Sequence, residues 1–111
     1  MMKSAGAFPE DVDIVKTLES YFMYCSIECT AHTMSVIAGS LANGGVCPVT
    51  GADVFDAQTV KNVLSVMSNC GMYDYSGEFA FSMGFPSKSG VGGGLLIVIP
   101  GVAGFCTWSP R

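Results

Sequence analysis

The chain has 111 residues, half of them hydrophobic and only 13% charged, with a net charge of −4. That charged share is about half of the ~25% usual in globular domains, so part of the surface is expected to be covered by a partner subunit or by further polypeptide. Without a Lys/Arg cluster, the acidic balance excludes counterion-releasing contacts with nucleic acid and a polybasic membrane anchor.

Residues 1 to 9 read as a tail and lack the long apolar core of a signal peptide. Phe8-Pro9-Glu10-Asp11 reads as a helix start, with acids placed to meet the helix dipole. Ile14, Leu18, Phe22 and Cys25 recur at helical spacing, which predicts a helix from Asp11 to about Tyr24 with one apolar stripe and Tyr21 beside it. Thr30 suits the N-cap of a second helix, whose buried face would be Met34, Ile37, Ala38 and Leu41. Gly44 suits the left-handed position after it. The small residues Ala38, Gly39, Ser40 and Ala42 would let another backbone come close. Asp56 should cap a third helix with Val60, Val63, Leu64 and Met67 as its stripe, closed by Asn69-Cys70-Gly71.

Beyond Gly71 the helical pattern gives way to period two. Phe79, Phe81, Met83 and Phe85 alternate with Glu78, Ala80, Ser82 and Gly84, which predicts a half-buried strand. Pro86-Ser87-Lys88 should turn the chain. Val91 to Ile99 is apolar on both faces, as in a central strand covered from both sides. Ala103-Gly104 belongs to the next turn, and Phe105 to Trp108 is a short third strand. The expected fold class is α+β: three helices followed by a three-strand antiparallel meander. The longest apolar run, Val91 to Cys106, is broken by glycines and Pro100 and falls short of the ~20 apolar residues of a membrane span.

Two short signals carry the candidate chemistry. Lys88-Ser89-Gly90 leads a glycine-rich stretch, where a lysine can hold an anionic or carbonyl group and backbone N–H groups can serve an oxyanion. The plain alternative is a solvated turn lysine with glycines that ease strand packing. Tyr73 and Tyr75 sit between Gly71 and Gly77, where a phenol can pass a proton to or from a reacting group, or simply plug the gap between helix and sheet. Tyr21, beside an apolar stripe, reads first as core or interface. Cys25, Cys29 and His32 would share a face only if one helix ran through them, and Thr30 argues that none does, so no metal is expected. The five cysteines are expected as free thiols of a reducing compartment, with Cys47, Cys70 and Cys106 buried. Lys88 precedes its glycines and a strand follows, so the segment is not a P-loop.

These motifs, in this order, resemble the serine-dependent glutaminases, whose fold is similar to that of β-lactamases and penicillin-binding proteins. The resemblance rests on Tyr21 to Glu28, Leu41 to Gly45 with Pro48-Val49-Thr50-Gly51, Ser68 to Asp74, Lys88 to Gly94, and Trp108-Ser109-Pro110. It implies hydrolysis of L-glutamine to L-glutamate and ammonia through an acyl-serine, with no cofactor, in an intracellular homo-oligomer (dimer or tetramer), mitochondrial if animal-type and cytoplasmic otherwise. It also implies roles: Tyr21, Tyr73 and Val91 bind substrate, Tyr73 relays a proton beside the nucleophile, and Val91 offers its N–H to the oxyanion. Lys88, Ser89 and Gly90 shape that wall. The family's Ser-x-x-Lys is missing: the residues three before Lys16, Lys61 and Lys88 are Asp13, Gln58 and Phe85. The chain is therefore expected to be the C-terminal portion of a catalytic domain, inactive alone. The alternative is a truncated, non-catalytic chain that binds glutamine weakly or docks onto full-length subunits.

Overall fold

The structure is a computed structural model and describes residues 1–110. Among the described residues the elements run α1 (Ile14–Cys25), α2 (Ala31–Ala42), α3 (Ala57–Cys70), a 3₁₀ turn (Tyr73–Tyr75), α4 (Ser76–Met83), β1 (Ser87–Ser89), β2 (Gly94–Ile99) and β3 (Ala103–Trp108). The expected α+β class and antiparallel meander are present, with the order β1-β2-β3.

Each of the first three helices begins at a side chain that satisfies its free N–H groups. The Asp13 carboxylate accepts from the Val15 and Lys16 amides at 3.0 and 3.2 Å. Thr30 Oγ1 accepts from the Thr33 amide at 3.1 Å. Asp56 accepts from both the amide and the hydroxyl of Thr59, at 2.7 and 2.9 Å. Two of these caps are the expected ones. The first helix starts later than Asp11 because Asp13, not the earlier acids, bonds back to the turn.

The core lies where α2 and α3 meet the sheet. Ala38, Leu41, Ala42, Val60, Met67, Leu96 and Val98 form one buried cluster. Leu96 pairs in register with Cys106 and Val98 with Gly104, so these four share the face beneath α2. A Cβ on Gly104 would stand 2.1 Å from the Ala38 carbonyl carbon and 2.2 Å from the Gly39 amide nitrogen. Helix and strand touch backbone to backbone, the close approach that the small residues of α2 permit. Ile37 and Val63, expected in the stripes of α2 and α3, are partly exposed instead.

The sheet differs from expectation at its start. Residues 78–85 are not a strand: most of them lie in α4. Phe81, on the supposed inner face, is 94% exposed. Tyr75 and Phe79 stack edge to face at 6.2 Å, a neighbour relation that helical spacing creates. Gly84, with φ 71°, takes the left-handed C-cap and donates its N–H to the Ala80 carbonyl. The alternation came from composition, not burial. The first strand is Ser87–Ser89, the segment expected to turn the chain. Residues 90 to 93 form the turn between β1 and β2, so the central strand begins at Gly94, not Val91. Ala103 and Gly104 belong to β3 rather than to the turn before it. Beneath α2 the sheet is covered; on its other face Leu95, Ile97 and Ile99 remain half-buried and Phe105 is exposed. No helix of the described residues is long and apolar enough to cross a membrane.

The stripe of α1 buries nothing. Leu18 and Phe22 are exposed, and no residue of this helix is buried.

Candidate active site

Tyr73 follows the end of α3, where Gly71 makes the junction tight. A Cβ on Gly71 would lie 1.7 Å from the Ser87 carbonyl oxygen and 2.5 Å from that of Met67. The Ser89 amide donates to the Gly71 carbonyl at 3.0 Å. Only glycine lets β1 close on the C-terminus of α3 at this point. The consequence is geometric: the side chain of Lys88, between those two contacts, reaches Tyr73. Its Nζ lies 4.8 Å from the centroid of the phenol ring, a cation–π distance. The ammonium also donates to the Ser89 carbonyl. Tyr73 is 61% exposed, so one part of the ring meets the lysine while the rest is open.

Tyr21 arrives from α1. Its phenol is held above its ordinary value, first by a hydrogen bond with the Cys25 side chain one turn on, then by the charge of that thiolate and by desolvation. The charge of Tyr73 pushes the same way. Tyr73 and Lys88, fifteen residues apart in sequence, thus form one group.

Val91 stands apart from that group. It occupies the hairpin turn, where the Gly93 amide donates to the Gly90 carbonyl at 3.0 Å and the Gly90 amide to the Gly94 carbonyl at 2.9 Å. Gly93 takes the left-handed position, φ 92°, that closes the hairpin turn. Val91 is 67% exposed, and among the described residues no group accepts from its N–H. The glycines after Lys88 therefore serve a turn, not a thinned strand, and among the described residues the turn leaves the amides of Val91 and Gly92 without an acceptor. Trp108, legible in sequence only as part of a motif, holds this turn from outside: its indole N–H donates to the Gly92 carbonyl at 2.9 Å. The Ser109 amide adds a bond to the Gly93 carbonyl at 3.1 Å. Together they fix the loop to the end of β3. A cavity of about 500 Å³ opens beside the turn, between Gly90, Gly92 and Trp108 on one side and Cys29, Thr30 and Met34 on the other. Tyr73 and Tyr21 do not line it.

The cysteines divide. Cys47 is buried, and its thiol is lowered to about 7 by hydrogen bonds from the side chain and amide of Thr50 and from the Val49 amide. Cys106 is half-buried, whereas Cys70 is exposed, contrary to expectation, because it lies at the end of α3 and bonds only the Val66 carbonyl one turn back. Cys25 and His32 fall on different helices, with Cys29 in the break between them. Among the described residues no three His, Cys, Asp or Glu side chains are grouped to hold a metal ion.

Comparison with known proteins decides the family. The model of the glutaminase family matches residues 1–111. The chain belongs to the glutaminase family. It is 50% identical over 109 residues to the mitochondrial liver isoform of glutaminase from Rattus norvegicus, and equally to a glutaminase from Clostridium tetani. Both alignments cover 98% of the chain but only 18% and 35% of those relatives. Among solved structures it superposes, with a TM-score of 0.87 and 30% identity, on the Bacillus subtilis glutaminase YbgJ in covalent complex with 5-oxo-L-norleucine. That superposition covers 99% of the chain and 39% of the relative. The chain thus spans between about a fifth and two fifths of the length of these glutaminases.

Proposed function

We propose that this chain carries one wall of a glutaminase active site and takes part in hydrolysing L-glutamine to L-glutamate and ammonia. The attacking serine would come from a Ser-x-x-Lys segment that none of the 111 residues supplies. The Tyr73 phenol exchanges a proton with that serine, and Lys88, set against the ring at 4.8 Å, fixes its orientation. The free N–H of Val91 donates to the oxyanion of the tetrahedral intermediate, a contribution of ~2.7–4 kcal/mol per donor in acyl transfer. Tyr21 closes the substrate side next to Tyr73. Ser89 and Gly90 carry the chain from the lysine to the turn. No metal or organic cofactor enters these steps. The reading rests above all on the Lys88–Tyr73 contact, formed between two motifs shared with the family. The exposed apolar residues of α1 and α4, Phe22 and Phe81 among them, support assembly into a homo-oligomer, a dimer or a tetramer. An intracellular site is proposed with it, mitochondrial for an animal-type enzyme, as the name of the rat relative has it.

Ammonia release from glutamine tests the proposal. The chain alone should show no turnover. Grafted into the Clostridium tetani enzyme in place of the 109 aligned residues, it should support turnover, and Tyr73→Phe should then lower kcat by roughly a hundredfold or more. Robust turnover by the chain alone, or a folded graft without turnover, would defeat the reading. The second reading, a non-catalytic chain that docks onto full-length subunits through the bare face of α1, is tested by native mass measurement of the chain mixed with an intact relative.

A further inference from the structure

We infer that Ser76 is the positioning residue for Tyr73, an inference that rests on the reading of Tyr73 as the proton-transfer group. Tyr73 has φ 53° and is the only non-glycine residue among those described with a positive φ. An L-residue leaves that region unless its surroundings hold it there, and such residues gather at functional sites. What holds it is a hydroxyl. Ser76 Oγ donates to the Tyr73 carbonyl at 2.7 Å and accepts from the Met72 amide at 2.9 Å. It thereby ties the peptide group that follows the strained residue to the one that precedes Met72. The Ser76 amide bonds the same Tyr73 carbonyl. The serine is only 7% exposed, so water competes weakly for these bonds.

The arrangement explains why a phenol with an open ring can still be aimed. Lys88 meets the ring, while Ser76 sets the backbone from which the ring projects. Ser65 and Ser68, by contrast, each bond only the carbonyl one turn back on an exposed helix face. Ser76 instead spans a residue with positive φ.

Two measurements test this. In the isotopically labelled 111-residue chain, the amide–α-proton coupling and α-carbon shift of Tyr73 report its left-handed backbone. Ser76→Ala should move both, and Ser76→Thr, which keeps the hydroxyl, should leave them closer to the parent values. In the grafted enzyme, Ser76→Ala should lower kcat on the order of tenfold to a hundredfold, with recovery in Ser76→Thr and no change in the control Ser68→Ala. A Tyr73 backbone or a kcat that Ser76→Ala leaves untouched would overturn the inference while the catalytic reading stands. Should the parent graft fold without turnover, the catalytic reading falls instead, and the Tyr73 backbone signals alone decide whether Ser76 holds that residue.

Discussion

Helices α1 and α2 are each twelve residues long, and each starts at a side-chain cap. By pattern, α1 is the better core helix, with Leu18 and Phe22 at helical spacing. Yet it buries no residue, while α2 buries Ala38, Ser40, Leu41 and Ala42. What separates them is the surface each one meets. The backbone of α2 rests on Gly104 of β3, and its small side chains fill the narrow gap that remains. The large side chains of α1 have no such partner among the described residues. Amphipathic spacing declares that a face can be buried; a fitting surface decides whether it is.

The hardest way to break this contrast is to make α2 as partnerless as α1. Gly104→Val puts side-chain atoms into the Ala38–Gly39 backbone, which has no flexible end to yield. It should destabilise the chain by roughly 3 kcal/mol or more, read as a lowered midpoint in urea unfolding. A milder sharpening pairs one deletion from each helix. Leu41→Ala, at a site 5% exposed, should cost about 2–5 kcal/mol, whereas Phe22→Ser, on the bare face of α1, should change stability by no more than about 0.5 kcal/mol. If the two cost the same, α1 is packed in solution and the contrast fails.

The smallest effect belongs to the caps, where the helices differ least. The Asp56 carboxyl is held below its ordinary value by the hydrogen bonds it accepts from the amide and hydroxyl of Thr59. Its native pKa therefore lies below its unfolded one. Its contribution to stability is present above the unfolded value and lost as the pH falls through the native value. Asp56→Asn keeps a capping oxygen but cannot titrate. It should flatten the acid limb of a plot of Tm against pH by lowering the neutral plateau slightly.

The proposed wall was legible unevenly. Tyr73, Lys88 and Val91 could be picked out because a tyrosine between glycines and a lysine before them are poor choices for packing alone. Their grouping was not legible: the contact between Lys88 and Tyr73 depends on Gly71 admitting the Ser87 carbonyl, a distance no spacing rule encodes. Trp108 went unassigned for the same reason, since its indole acts through the Gly92 carbonyl of another segment. The segment 78–85 misled because eight residues with phenylalanine at alternate positions fit a strand as well as a helix.

By itself the sequence determined what is local: the caps at Thr30 and Asp56, the left-handed turn at Gly44, the α+β class, and the motifs that mark the glutaminase family. These depend on a residue and its near neighbours, whose bonds form in any context. Tertiary structure alone decided which apolar faces are buried, that α4 is a helix, and that Tyr73 and Lys88 meet. Those outcomes depend on the space between backbones, which contacts between segments distant in the chain create.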